Sequence, residues 1–329
     1  MRTRSILPVL AAVALLAGAC GGATEAATSP RGPQSVTVAG NTADANPVQL
    51  SVTAVPEIRA KVPKKILDSG KLVIGVGALP SGFPPLAYVG ADQRNLTGAE
   101  PDLGRLVAAV LGLTPEVQNA SWQNLFVRIQ SGQFDAGFSN ITVTEQRKQQ
   151  GFDFASYRED NLGFEVNKAD SWNFDGNYEG LAGKTVAVDS GTNQEKILLA
   201  WQGKLKSEGK KLDVRTFGDK NSTYLALSAH RIDAYFAPNP GIAYHAAQTA
   251  KTPNPTRGAG KYSGAGSSLQ GLIAATTKKG NGLAPALADA IDYLIAHGQY
   301  QKWLAAYGLG NEAVPAAQVN PPGLPLTDS

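Results

Sequence analysis

Arg147 lies in the run Thr142-Val-Thr-Glu-Gln-Arg-Lys148, and its planar guanidinium is the kind of side chain that can hold a carboxylate through two parallel hydrogen bonds. It reads equally as a surface cation on a polar turn, with Glu145, Gln146 and Lys148 beside it. Thr192 and Asn193 open a helical stretch in which Thr192 and Glu195 form a capping-box pattern. The unpaired backbone N–H groups of such a helix start favour an anion, and Thr192 can cap and ligate at once. Other chemistries find little support. His230, His245 and His297 share no metal-ligand spacing. Cys20 is the sole cysteine, which excludes an intramolecular disulfide and a thiolate cluster. No serine sits in a Gly-x-Ser-x-Gly elbow, and Tyr262-Ser-Gly-Ala-Gly-Ser267 reads as a return loop. Neither a catalytic residue nor a metal or cofactor is expected.

Two similar series of elements must position these residues. Lys71-Leu-Val-Ile-Gly-Val-Gly77 and Lys184-Thr-Val-Ala-Val-Asp-Ser-Gly191 are short β-branched runs ending in Gly, and each opens a half of the body. In the first half, Leu103, Leu106, Val107, Val110 and Leu111 recur at helical spacing within Ala99 to Leu111. A second helix follows over Trp122 to Gln130, then a buried strand Phe134-Asp-Ala-Gly-Phe138. The second half repeats the plan with helices over Thr192 to Trp201 and Asn221 to His230, then the strand Ile232-Asp-Ala-Tyr-Phe236. Both halves read β-α-β-α-β, which predicts an α/β fold with parallel sheets covered on both faces. Such sheets bind ligands beyond the carboxyl ends of their strands, so two of them facing each other enclose a cleft. Amphipathic stretches at Leu283 to His297 and Tyr300 to Tyr307 close the body.

The ends read differently. A basic start, Met1-Arg-Thr-Arg4, an apolar run from Ile6 to Ala17 and a small-residue site before Cys20 form an export signal too short to span a bilayer. The position of Cys20 resembles the lipid-modified cysteine of bacterial lipoproteins. Residues 1–19 are therefore expected to be removed, leaving a lipid anchor on Cys20. Residues 20–59 are rich in Gly, Ala, Thr, Ser and Pro and read as a disordered tether, and 311–329 as an extended Pro-rich tail. Lys+Arg number 30 and Asp+Glu 27, too even a balance for a nucleic-acid partner.

Read in order, Phe83-Pro-Pro85, Leu96-Thr-Gly-Ala-Glu-Pro-Asp-Leu103, Ser121-Trp122, Gln130-Ser-Gly-Gln-Phe-Asp-Ala136, Thr142 to Lys148 and Gly191-Thr-Asn-Gln-Glu195 resemble the family 3 extracellular solute-binding proteins of amino-acid ABC importers. Asp289, Leu294, Gly298-Gln-Tyr300 and Trp303 resemble the family's closing helices, so the likeness covers roughly residues 64 to 310. It implies a two-lobed, type II periplasmic-binding-protein fold. Lobe 1 would comprise 60–161 and 270–310 and lobe 2 would comprise 162–269, joined by hinge strands near Asp160 to Val166 and Gln270 to Ala275. It implies that Arg147 takes a solute carboxylate, helped by Ser139, Asn140 and Thr142, with Thr192 and Asn193 answering from the second lobe. Phe83 would cover the ligand. Trp122 is either a second wall or a core residue on the Leu125, Phe126, Ile129 stripe.

One departure bears on the solute. The family commonly carries an Asp for the ligand ammonium five residues after the strand Asp; counted from Asp233 that position is Pro238, and the next residue, Asn239, is the ligand-binding candidate there. Either Asp189 supplies the missing charge or the solute lacks a conventional α-amine; Asp189 also reads as a turn residue before Ser190-Gly191. The expected partners are a small amino-acid-like solute, an ABC permease with its ATPase and, through the lipid, the outer face of the cell membrane, with the protein a monomer. The alternatives are an exported cyclohexadienyl-dehydratase-like enzyme, for which Glu100 and Glu165 are available carboxylates, and a ligand-sensing lipoprotein.

Overall fold

The computed structural model describes residues 32–42 and 47–327; the export signal and Cys20 lie outside them. The chain opens with strands β1 (Gln34–Val38) and β2 (Val48–Val52), then short helices α1 (Pro56–Arg59) and α2 (Lys64–Ser69). Lobe 1 follows: β3 (Lys71–Leu79), the small pair β4 (Tyr88–Val89) and β5 (Leu96–Thr97), α3 (Ala99–Val110), β6 (Thr114–Ser121), α4 (Trp122–Ser131), β7 (Ala136–Gly137), α5 (Glu145–Gln149) and β8 (Phe152–Glu159). Lobe 2 contains β9 (Asn161–Asn167), β10 (Thr185–Val188), α6 (Asn193–Ser207), β11 (Asp213–Arg215), α7 (Lys220–Ser228), β12 (Ala234–Pro238), α8 (Asn239–Thr249) and β13 (Thr256–Ser263). The chain then returns to lobe 1 with β14 (Leu272–Lys278), α9 (Ala284–Ala296) and α10 (Gln299–Ala306).

Each lobe carries one five-stranded sheet, ordered β6-β3-β7-β14-β8 and β11-β10-β12-β9-β13. Three neighbouring strands in each pair in parallel, as the β-α-β-α-β pattern requires; the remaining two join through antiparallel pairings, with only β14 and β9 running against the rest, so the sheets are mixed rather than wholly parallel. The strands joined by antiparallel pairings are the ones that carry the chain between lobes. Asp160 alone separates β8 from β9, and 264–271 returns the chain from β13 to β14. The crossings are tied together: Asp160 N–H donates to Gly271 O at 2.8 Å, and Gly264 N–H to Asp160 O at 2.9 Å. Each sheet packs its own core, with Leu103, Val107, Leu287 and Trp303 in lobe 1 and Phe164, Val186, Leu198 and Trp201 in lobe 2.

Both ends of the body need correction. The expected tether folds in part: β1 and β2 form an antiparallel hairpin that buries Val38, Leu50 and Val52 against lobe 1. Ala39 N–H donates to Asp102 Oδ2 of α3 at 2.8 Å. Alternating valines and Leu50 supply a period-two apolar face that the surrounding Ser, Thr and Gln dilute. The Pro-rich tail is docked on the body rather than loose. Ser156 N–H donates to Gln318 O at 2.9 Å, and Asn320 N–H to Phe154 O at 3.0 Å. Further along, Leu324 exchanges backbone hydrogen bonds with Val143 and Glu145 of lobe 1, while its side chain is buried in the lobe 2 core. Residues between the prolines keep their N–H groups for these edge contacts.

Candidate functional site

A cavity of about 220 Å³ lies between the lobes. Lobe 1 contributes the turn after β3, including Phe83, the start of α4 with Trp122, and Ser139 and Asn140 beyond β7; lobe 2 contributes Asp189, Thr192, Asn193 and Gln194 after β10, Lys220 of α7 and Pro238. These segments follow the carboxyl ends of the parallel strands, where the fold places a ligand.

Two aromatic side chains cross the gap. Trp122 Nε1 donates to Gly191 O of lobe 2 at 3.0 Å. The Phe83 ring lies 4.2 Å from Lys220 Nζ and rests on α8 where residue 241 is glycine; a Cβ there would stand 2.1 Å from Phe83 Cζ. Trp122 lines the cavity, and its ring also meets Phe126 edge-on at 5.0 Å.

The polar wall of lobe 1 is held from behind. Ser139 Oγ accepts from Gly77 N–H at 2.8 Å. Asn140 has a left-handed backbone (φ 51°), and its N–H donates to Glu100 Oε2 at 2.7 Å. Its side-chain oxygen accepts from Arg158, a buried guanidinium that also holds Glu100 and Glu312. Burial raises the Glu312 carboxyl while Arg158 pulls it back. Glu100 is therefore a structural anchor. Glu165 is enclosed elsewhere in lobe 2, accepting from Thr256 Oγ1 at 2.6 Å and bonded to His245. Neither carboxylate lines the cavity. His230 bonds Asn167 and His297 bonds Tyr293, so the histidines are dispersed, and no group of three metal-ligating side chains exists among the described residues.

In lobe 2, Asp189 Oδ2 accepts from Lys220 Nζ and, at 2.7 Å, from Tyr235 Oη. Burial, with the Asp189 carboxylate next, holds the Tyr235 phenol well above its ordinary value. Asp189 is thus a charged cavity residue whose partner the sequence reading missed. A signal for Lys220 existed: a lysine directly after the N-cap Asp219 opposes the helix dipole and calls for a nearby anion. Thr192 caps α6, its Oγ1 accepting from Glu195 N–H at 3.2 Å, and Glu195 reaches back to Gly191 N–H rather than to the cap residue itself.

Three expected ligand residues do not line the cavity: Thr142, Arg147 and Asn239. Asn239 begins α8, half-buried beside Gly163. Arg147 is neither the surface cation nor the cavity-wall ligand of the two sequence readings. It is buried beneath Trp122 and Phe126, its guanidinium carbon 5.4 and 5.0 Å from their ring centres, and its Nη1 donates to Thr142 O at 2.7 Å. Stacking on two aromatics and a buried carbonyl draw it behind the wall. Burial lowers its pKa to about 10, with Asp160 as the opposing charge. The donors expected for a solute acid serve Asp160 instead: its Oδ2 accepts from Thr142 Oγ1 at 2.6 Å and from Asn193 Nδ2 at 3.2 Å.

The chain belongs to the bacterial extracellular solute-binding proteins, family 3, whose model matches residues 74–310. It is 28% identical over 275 residues to the arginine-binding protein ArgT of Corynebacterium glutamicum, covering 83% of this chain and 85% of that one. It is 29% identical over 171 residues to the L-cystine-binding protein TcyJ of Escherichia coli K12, covering 52% of this chain and 59% of that one. Among solved structures, an ancestral arginine-binding protein bound to arginine superposes with a TM-score of 0.61 at 25% identity, covering 72% of this chain and 98% of that one. The ancestral amino-acid-binding protein AncCDT-1, described as a precursor of cyclohexadienyl dehydratase, shares the fold at 22% identity with a TM-score of 0.60, covering 74% of this chain and 98% of that one. The two-lobed type II architecture is therefore that of the family. No helix among the described residues is long and apolar enough to cross a membrane.

Proposed function

We propose that this chain is the extracytoplasmic capture component of an ABC importer, held at the membrane by lipid on Cys20 and taking up an amino acid or a close derivative. The observation that carries this reading is the cavity walled by both lobes and shut by contacts that exist only when the lobes meet: Phe83 on Lys220, and Trp122 on Gly191. A solute bridging the two walls favours the joined state over the separated one by its differential contacts alone. The joined surface is then what the permease recognises. Membership of the solute-binding family and relatives named for arginine and cystine support an amino-acid-type solute. Phe83 and Trp122 supply apolar cover. Ser139, Asn140, Gln194, Lys220 and Asp189 supply polar partners for a zwitterionic or cationic guest.

A thermal-shift panel of amino acids, their N- and C-modified derivatives and small organic acids tests this. A true solute at a hundred times its Kd raises stability by about 2.7 kcal/mol. It also contracts the particle in solution scattering. Thermal stabilisation by no member of the panel, with an unchanged scattering profile throughout, would contradict the proposal.

A further inference from the structure

Asp160 is the one residue between β8 and β9, at the crossing of the lobes, and it is 1% exposed. Its carboxylate accepts from the Thr142 hydroxyl of lobe 1 and the Asn193 amide of lobe 2. Room for it is made by Gly264, where a Cβ would fall 1.7 Å from Asp160 Oδ2. Arg147, buried alongside Thr142, has no carboxylate within ion-pair distance among the described residues, and Asp160 is the anion that acts on it. A hydroxyl donor, an amide donor and a desolvated guanidinium together make the environment that a buried carboxylate requires. Here the chain fills it from within. Asn193 belongs to both places: it lines the cavity, and its amide group is spent on Asp160 and, at 2.9 Å, on Gly264 O.

We propose that Asp160 is a built-in occupant of an acid-binding seat directly behind Asn193 in the cleft wall, and a specificity-determining residue. It selects against solutes that would bring a free carboxylate to that seat and for those whose corresponding end is neutral or cationic, such as amides, esters or amines. With Asp160 in place, a carboxylate arriving at Asn193 finds the donors behind that wall already held by an anion, so it gains no bond and suffers like-charge repulsion. This inference rests on the solute-binding reading for its consequence, but the seat itself can be tested without any natural solute.

The full chain and its Asp160→Ala and Asp160→Ser variants are melted in increasing acetate, with acetamide as the neutral control. Wild-type protein is expected to respond alike to the two. Both variants are expected to gain a saturable stabilisation by acetate alone, with apparent affinity about tenfold or more above wild type. Adding Arg147→Met should abolish the gain. Folded variants without an acetate response, or a wild type already stabilised saturably by acetate, overturn the proposal. A second arm compares L-arginine with L-argininamide on wild-type protein and requires no variant to fold. The amide is expected to bind at least as tightly as the acid, and a preference for the acid of about tenfold or more overturns the inference. Failure of every amino-acid derivative to bind would count against the importer reading and leave the acetate arm to decide the seat.

Discussion

Gly241→Ala separates the energetics of closure from those of folding. A Cβ at 241 would lie 2.1, 2.4 and 2.7 Å from three atoms of the Phe83 ring, where ordinary contact begins at 3.4 Å. The ring must therefore retreat by about 1 Å or more, leaving the position in which it meets Lys220; overpacking of this kind costs about 1–3 kcal/mol. Phe83 belongs to lobe 1 and Gly241 to lobe 2, so the cost falls on the joined state alone. With the lobes apart, alanine is the better helix residue, by up to about 1 kcal/mol in a helix interior and less in the first turn of α8. The variant should thus melt at the same temperature as wild type or higher when free of solute. It should bind solute about 5- to 150-fold more weakly by calorimetry. Binding within about twofold of wild type, or a loss of stability in the solute-free protein equal to the loss of affinity, would refute the assignment of Phe83 as a closing contact.

Arg158→Met leaves Glu100 and Glu312 buried without their cation and should destabilise the fold by about 3–5 kcal/mol, read as a lowered urea midpoint. Asp160 has a carboxyl raised by burial, against the donors and the two arginines that pull it down. A raised native value means that the folded state binds the proton more tightly than the unfolded one. Its contribution is then full below the ordinary carboxylate value of about 4 and is lost as pH rises through the native value. The stability of wild type relative to Asp160→Asn should therefore decline from about pH 4 towards neutrality, and a difference independent of pH would contradict the raised value. Leu324→Ala removes a fully buried side chain that joins the tail to the lobe 2 core and should cost about 2–5 kcal/mol in chemical denaturation; a loss typical of an exposed residue, below about 0.5 kcal/mol, would mean that the tail is not docked.

The repeated β-α-β-α-β order was legible because helices such as α3 and α4 and strands such as β3 and β10 carry their own periodicity. What escaped was set by distant partners. The hairpin at Gln34–Val52 depends on α3 and Tyr307, and the tail on a groove made by both lobes. In the site, Phe83, Trp122, Ser139, Asn140, Thr192 and Asn193 follow from motif order and Asp189 from the charge missing at Pro238, and all of them lie on the cavity. Arg147 and Thr142 were named with them and lie behind the wall. Motif order reports which residue follows which, whereas the turn of a guanidinium toward a solute or under two aromatic rings depends on Asp160, thirteen positions later. Lys220 went unnamed because its role exists only opposite Asp189 and Phe83, one contact within the lobe and one across the gap.

The most direct measurement is a crystal structure of the full chain at saturating concentration of the solute found by the thermal panel. Density for that solute is expected to lie enclosed between Phe83 and Trp122 on one side and Asp189 and Lys220 on the other, with Trp122 still bonded to Gly191. Density on any other surface, with this cavity holding only water, would contradict this placement.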